Sequence, residues 1–128
     1  MADAPPEEEP SIYRDVDWIG SSLKDLRTFP KDVKSEVGAA ISAAQWGRSH
    51  RSVKILKGFG GGSVREVVVD DQSGTYRVVF TMEFPEMIYG LHSFKKKSKR
   101  GSETPKEEME RIRDRLKAAK EQHAKDFG

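Results

Sequence analysis

Basic side chains recur between positions 54 and 100 of the chain, in numbers and positions suited to binding a polyanion. The stretch 91–100 reads LHSFKKKSKR and ends in a run of cations with no acidic residue among them. The candidate residues are Lys54, Lys57, Arg65, Arg77, His92, Lys95, Lys96, Lys97, Lys99 and Arg100. Clustered positive charge attracts nucleic acids through counterion release and long-range steering. A solvated surface is the alternative explanation for such charge runs.

Cations held together on one face of a sheet could also cleave RNA. When the 2′-hydroxyl of RNA attacks the adjacent phosphorus, negative charge builds up on a five-coordinate centre, and fixed guanidinium and ammonium groups can stabilise it without a metal. His92 could transfer protons at neutral pH, although a histidine in a strand is more often a packing residue. Tyr76, Tyr89 or Phe94 could stack on bases; the alternative is that they fill the core.

Length and composition limit the possible folds and compartments. The chain has 128 residues, enough for one domain with a single core, and its lack of cysteine excludes disulfides, thiolate metal sites and cysteine nucleophiles. The net charge is +2, but residues 1–10 are acidic, so the rest of the chain carries 23 basic and 17 acidic residues. We expect residues 1–11 to be a disordered acidic tail and residues 12–128 to form one domain. We expect a cytoplasmic protein with no membrane span.

Hydrophobic periodicity predicts two N-terminal helices followed by four strands. Apolar residues recur at helical spacing over 20–28 and 31–46, and Gly47 is placed to end the second helix. Residues of high β propensity dominate four later segments, 53–56, 64–70, 75–83 and 87–94. Their short connections favour antiparallel neighbours.

The C-terminal segment has a clear helix-start pattern. Thr104 is a suitable N-cap, Pro105 suits the first helical position, and Glu107 would complete a capping box. The complete order of elements predicts an α+β fold, with two N-terminal helices, a four-stranded and mainly antiparallel sheet, and a C-terminal helix.

Two other patterns predict no cofactor. The glycine cluster GFGGG at 58–62 lacks the Lys-Ser/Thr ending or following helix of a phosphate-binding loop, so we interpret it as a connection between strands. His50 and His123 lie far from His92 in sequence, in polar surroundings. Metal binding would require convergent ligands, and we expect neither a metal nor another cofactor.

Several motifs, taken in order, carry a family resemblance. They are SSLKDLRTFP, ISAAQWG, KILKGFGGGSVREV, SGTYRVVF, IYGLHSFKKKSKRG and TPKEEMERIRDRL. The most specific are the Gly-x-Tyr-Arg strand start at 74–77 and the Leu-His-x-Phe-x-Lys-Lys block at 91–97, followed by Thr104 and Pro105. Over roughly residues 12–120 the chain resembles the RelE/ParE toxin superfamily, in its phage-derived HigB-like branch, and the resemblance implies a RelE-like fold.

The resemblance also implies an activity and partners. RelE-like and HigB-like toxins of type II toxin–antitoxin pairs are metal-independent endoribonucleases that cut mRNA on the ribosome and so inhibit translation. A helix-turn-helix, HigA-like antitoxin would hold this chain inactive and mediate most of its oligomerisation. By the same resemblance, the catalytic residues would be Arg77, His92, Lys95 and Lys96. RNA binding would fall to Lys54, Lys57, Arg65, Tyr76, Lys97, Lys99 and Arg100.

One position departs from the family pattern. The family commonly has an arginine two residues after the glutamate of the second predicted strand, whereas Val68 stands there in this chain. Arg65 should point to the opposite face from Glu66 and Val68, because side chains alternate along a strand. The missing arginine leaves open a degenerate member that binds RNA or antitoxin without cutting. A ParE-like inhibitor of DNA gyrase, which would share the fold, is the other alternative.

Overall fold

Five strands form one mixed sheet, with helices on both of its faces. The structure, a computed structural model, describes residues 13–96 and 104–128. In chain order the elements are β1 (Asp15–Trp18), α1 (Ser22–Leu26), α2 (Lys31–Gln45), β2 (Val53–Ile55), β3 (Val64–Asp71), β4 (Gly74–Thr81), β5 (Met87–Lys96) and α3 (Lys106–Phe127). The strand order across the sheet is β1-β5-β4-β3-β2. The three helices and the four later strands occur where the sequence predicts them, within a few residues.

The prediction of a four-stranded sheet is wrong, because β1 adds a fifth strand. β1 runs parallel to β5, pairing Asp15 with Met87 and Trp18 with Gly90, whereas β2 to β5 are joined by antiparallel pairs. Four residues, two of them aspartates, give a weak strand signal. The partner strand lies about 70 positions later in the sequence, so no local pattern indicates the pairing.

Alternation along the strands divides the apolar residues between two core layers. The α2 face of the sheet packs against α2, in a cluster containing Phe29, Val33, Val37, Ala40, Ile41, Ala44, Val67, Tyr76, Val78, Phe80 and Ile88. The α3 face packs against α3, in a cluster containing Leu56, Val64, Val79, Tyr89, Leu91, Phe94, Ile112 and Ala119. In β4, Tyr76, Val78 and Phe80 contribute to the α2-face cluster and Val79 to the α3-face cluster, and Phe80 and Phe94 are core residues.

The predicted cap at the C-terminus of α2 is present, whereas the predicted cap at the N-terminus of α3 is not. Gly47 follows α2 with a positive φ of 71°, and the adjacent N–H of Arg48 donates to Ala43 O at 2.8 Å, as the predicted C-terminal cap requires. The predicted capping box of α3 is wrong. α3 begins at Lys106 with Pro105 at the N-cap, and no side chain caps it. The Thr104 hydroxyl instead bonds to side chains of the sheet.

Some predictions concern residues outside the described ranges. The acidic tail at 1–11 and the cations Lys97, Lys99 and Arg100 lie there, so their predicted roles stay predictions. Within the described part of the chain, none of the helices has the length and apolar character needed to cross a membrane.

Candidate active site

A buried ion pair lies on the α3 face of the sheet. Arg77 of β4 donates from Nη1 to Glu66 Oε1 of β3 at 3.0 Å, and the two residues are 2% and 1% exposed. A charge removed from water loses several kcal/mol of hydration. The pair therefore depends on further polar partners, which the chain supplies from two other segments.

Thr104 and Lys54 complete the surroundings of the Glu66 carboxylate. The Thr104 hydroxyl donates to Glu66 Oε2 at 3.3 Å and lies 3.4 Å from Arg77 Nη1, from which it can accept a bond. Lys54 of β2 places its ammonium 3.8 Å from Glu66 Oε1, and its side chain is 46% exposed. The carboxylate is thus shared between a buried guanidinium, a hydroxyl and a cation that reaches solvent.

An open cleft of about 400 Å³ lies against the Lys54 and Thr104 side of this group. Its lining residues are Lys54, Ile55, Leu56, Lys57, Glu66, Thr104 and Met109. Two lysines supply positive charge, Glu66 supplies a carboxylate, and Ile55, Leu56 and Met109 supply apolar walls. Small-molecule sites of this size combine apolar walls with a few polar groups in the same way. The cleft can therefore receive one anionic unit that carries an apolar or aromatic part.

Arg77 retains an unused hydrogen-bond donor. Its Nε is buried and has no hydrogen-bond partner among the described residues. Buried polar groups are normally paired, and an unpaired one raises the free energy of the fold by about 1–3 kcal/mol. Arg77 is not among the residues that line the cleft, so this donor lies inside the protein, behind Glu66.

The sheet brings some of the predicted site residues to the α3 face. Lys54 pairs with Glu66 across β2 and β3, and Arg77 pairs with Phe94 across β4 and β5. His92 lies opposite Val79 on the same face, and the register places Lys96 there too, opposite Thr75. Lys57, just after β2, lines the cleft with Lys54.

Three other predicted site residues lie on the opposite face, which corrects the expectation of a single cationic face. Lys95 pairs with Tyr76 and holds its Nζ 5.7 Å from the centre of the tyrosine ring. Tyr76 packs on Phe29 at 4.8 Å between ring centres and is 5% exposed. Arg65 pairs with Phe80, away from Glu66, as the alternation argument predicts. Strand alternation is the reason for the split, because neighbouring residues of a strand point to opposite faces.

His92 is enclosed in a hydrogen-bond network between β5 and α3. Its Nε2 lies 2.6 Å from Glu108 Oε1, and its Nδ1 lies 3.2 Å from Nη1 of Arg115. Because a guanidinium can only donate, Nδ1 accepts, and the neutral ring carries its proton on Nε2 toward Glu108. The ring also stacks on Phe94 at 4.9 Å between ring centres. Both nitrogens are therefore occupied in the structure.

The surroundings of His92 favour its neutral form. Burial lowers the pKa of His92 below its ordinary value of 6.5, and the positive charges of Arg115 and Arg111 lower it further, while the hydrogen bond and charge of Glu108 oppose the shift. Arg115 also donates to Leu91 O at 3.1 Å and to Ser21 Oγ at 3.0 Å. The network thus joins β5, α3 and the start of α1.

Sequence reasoning missed Glu66 as a member of the site. The available signal was a carboxylate inside the strand VREVVVD, well ahead of Asp70 at its end, at an alternating position shared with Val64 and Val68 on the α3 face. A charged residue at a buried strand position requires a partner, and Arg77 on the next strand is the candidate. In residues 13–96 and 104–128, no group of three or more histidine, aspartate or glutamate side chains is placed to hold a metal.

Comparison with known proteins places the chain in a family. A family model described as "Phage derived protein Gp49-like (DUF891)" matches residues 24–117. The matched range includes β2 to β5 and the first half of α3, and with them Lys54, Glu66, Arg77 and Thr104. No curated protein matches the chain.

Proposed function

Because this chain belongs to the Gp49-like family of phage-derived proteins, a family associated with RelE-like toxins, we propose that it is the toxin of a type II toxin–antitoxin pair. In this proposal it is a metal-independent endoribonuclease of the HigB-like branch. It acts in the cytoplasm, cuts mRNA on the ribosome and inhibits translation. A helix-turn-helix antitoxin of the HigA-like kind is its cognate partner.

The observation that carries the proposal is the contact of Glu66 with both Arg77 and Lys54 beside an open cleft. A carboxylate next to two cations provides two of the functions that RNA cleavage needs. Glu66 accepts the proton of the 2′-hydroxyl, and the cations stabilise the negative charge that develops on the phosphate. The 2′-oxygen forms a bond to phosphorus, the bond from phosphorus to the 5′-oxygen breaks, and a 2′,3′-cyclic phosphate results.

The leaving 5′-oxygen needs a proton, for which Lys54, Lys57 or water is the donor in this proposal. Lys54 is about half exposed and lies 3.8 Å from Glu66 Oε1, so it can reach both the carboxylate and a phosphate in the cleft. The sequence favours His92 for such a transfer. However, both His92 nitrogens are engaged by Glu108 and Arg115, so we assign His92 a positioning role.

Arg77 supports the site from inside the protein. Its Nη1 holds Glu66 in place, and its positive charge acts on a phosphate in the cleft without a direct bond. Charge-assisted bonds such as that from Nη1 to Glu66 are roughly twice as strong as neutral ones. Lys96, at the end of β5 on the same face as the cleft, would hold a more distant phosphate of the mRNA or the ribosomal RNA.

The test is to induce the chain without a partner and to map mRNA 5′ ends on translating ribosomes. We expect cuts at codon-linked positions, reduced about 10²–10⁴-fold in Glu66→Gln, since general-base catalysis contributes that much. A matched control is Glu83→Gln, which removes an exposed carboxylate at the end of β4. Intact transcripts with trapped gyrase–DNA complexes would favour the ParE-like alternative, and the absence of growth arrest would favour a non-cutting member.

A further inference from the structure

A second depression lies on the opposite side of the sheet from the candidate active site. This β1 groove, of about 750 Å³, runs between β1, α1 and α2. Its apolar lining consists of Val16, Trp18, Leu23, Leu26, Val37 and Ile41. Several of these side chains belong to the edge of the α2-face core and are only partly buried. The groove therefore exposes partly buried apolar side chains of β1 and α1 above the buried Val37 and Ile41 of α2.

Gly38 leaves room on the α2 side of the groove. It lies in the interior of α2, where glycine is less favourable than alanine by about 1 kcal/mol. A Cβ at this position would meet nothing within 4 Å, so packing within the described chain does not require a glycine there. Gly38 lines the β1 groove. The absence of a side chain would allow another backbone to approach α2 closely, as small residues do at helix contacts.

Positively charged side chains lie at one end of the groove and an acidic one at the other. Arg27 and Lys34 line one end, and neither forms an ion pair with a carboxylate of the described residues. Asp15 and Gln45 line the other end. A helix lying in the groove would be most stable with acidic side chains and its C-terminus near Arg27 and Lys34, because the C-terminal end of a helix dipole is negative.

The free edge of β1 is unsuited to pairing with a further strand. Asp15 and Asp17 are both exposed on it, and the Asp17 carboxylate accepts the outward N–H of Trp18 at 2.9 Å. Charged side chains and occupied donors are the usual means of blocking an edge. An occupant of this side of the molecule would therefore bind through side chains in the groove.

Two exposed aromatic rings extend the apolar surface beyond the end of the β1 groove at Gln45. Tyr13 and Trp46 are 46% and 42% exposed, with 4.8 Å between their ring centres. Gln45 donates to the Tyr13 hydroxyl at 2.7 Å and so connects this pair to the groove. Tyrosine and tryptophan are enriched in protein interfaces.

We propose that the β1 groove binds one amphipathic α-helix of a partner protein. The apolar stripe of that helix would lie over Gly38, and its acidic side chains would face Arg27 and Lys34. The recognition mode is a helix in a groove, with anchors at helical spacing. It does not depend on RNA cleavage, because the groove and the Glu66 cleft lie on opposite faces of the sheet.

The test is an NMR titration of the full chain with a stapled helical peptide of about 15 residues, since shorter unconstrained helices are marginal in water. The peptide carries leucines at i, i+3, i+4 and i+7 and glutamates in its last turn. We expect saturable shifts of the Gly38 amide and the Trp18 indole. A peptide with lysines replacing the glutamates should bind at least about fivefold more weakly, because like charges would meet Arg27 and Lys34.

Matched variants separate binding from folding. Gly38→Gln fills the groove while improving helix propensity, so it should keep or raise the melting temperature and weaken binding at least about tenfold. Ala39→Gln, one residue away on an exposed position outside the groove lining, should bind normally. Shifts that map elsewhere, no saturation at millimolar peptide, or equal binding by both variants would overturn the proposal. So would sedimentation showing that a second copy of the chain occupies the groove.

Discussion

The ring nitrogen Nε2 of His92 on β5 lies 2.6 Å from the Glu108 carboxylate on α3, while Arg115 holds Nδ1 from the same helix. This arrangement requires a neutral imidazole, since a second proton on Nδ1 would face a guanidinium. His92 therefore connects α3 to the sheet in a way that depends on its protonation state.

Stability should decrease as pH falls below about 6.5. Burial lowers the pKa of His92 in the folded protein below 6.5. As pH falls, His92 therefore binds a proton in the unfolded chain before it does so in the folded protein, and this proton binding stabilises the unfolded state. The decrease in the free energy of unfolding begins near pH 6.5 and is complete below the pKa of His92 in the folded protein. Urea unfolding at pH 7.5, 6.5 and 5.5 measures it.

His92→Gln provides the control for this pH dependence. The variant should be less stable at pH 7.5, because it loses ring packing on Phe94, but its stability should change less between pH 7.5 and 5.5. Glu36 and Glu86 also have a lowered pKa, caused mainly by hydrogen bonds from Ser52 and His123. Their contribution is lost below about pH 4.5, outside this range. An equal slope in both proteins would contradict the role of His92.

Breaking the Glu66–Arg77 pair should destabilise the fold strongly. Removing one partner leaves an uncompensated buried charge, which lowers the free energy of unfolding by about 3–5 kcal/mol. Arg77→Met should show this loss in urea denaturation. Glu66→Gln keeps a polar acceptor for Arg77, so its loss should be smaller.

The double variant Glu66→Met with Arg77→Met separates stability from catalysis. Two apolar side chains of similar volume can replace a buried ion pair with little loss, or even a gain, of stability. We expect this variant to unfold near the wild-type urea concentration and to be inactive in mRNA cleavage. The exposed pair Lys120–Glu83, 3.9 Å apart, is the comparison: Lys120→Gln should change stability by less than about 1 kcal/mol. A folded double variant with full activity would exclude the proposed site.

Gly90 should not tolerate a side chain. A Cβ at Gly90 would lie 2.1 Å from the Trp18 ring, and the Ser22 hydroxyl donates to Gly90 O at 3.3 Å. The Trp18 ring would have to move toward the β1 groove, so Gly90→Ala should cost about 1–3 kcal/mol, as overpacking of a core does. Thermal unfolding measures the cost, with Gly38→Ala as a control that should be stabilising.

The sequence predicts the helices and strands, and the alternation of side chains along each strand, better than it predicts which cations lie together on one face of the sheet. Period-two alternation in β4 separates Arg77 from Tyr76 and Val78 correctly, because a buried strand has one consistent pleat. Whether Lys54, Arg77 and Lys95 share a face depends on how the strands are paired in register. The pairing of β4 with β5 also contains a register shift between Val79 and Phe80, which no local pattern predicts.

Long-range partners account for the remaining errors. Thr104 has the local pattern of an N-cap, but tertiary contacts with Glu66 and Arg77 outweigh it. β1 is stabilised by β5, which follows it by about 70 residues. Glu66 differs from these because strand alternation does place it at a buried position, so a search for its charge partner could have identified Arg77.

RNA binding should depend on Lys57 through charge alone. Lys57 lines the Glu66 cleft and, in the proposed function, contacts a phosphate of the bound strand. For single-stranded RNA each neutralised phosphate contributes about 0.7 to the slope of log affinity against log salt. Lys57→Gln should therefore weaken binding of a 2′-O-methyl RNA, which lacks the attacking hydroxyl, and reduce that slope by about 0.7. Lys24→Gln, an exposed lysine of α1, should leave both quantities unchanged. Equal effects of the two substitutions would show that RNA binds to diffuse surface charge, in which case the cleft is not its site.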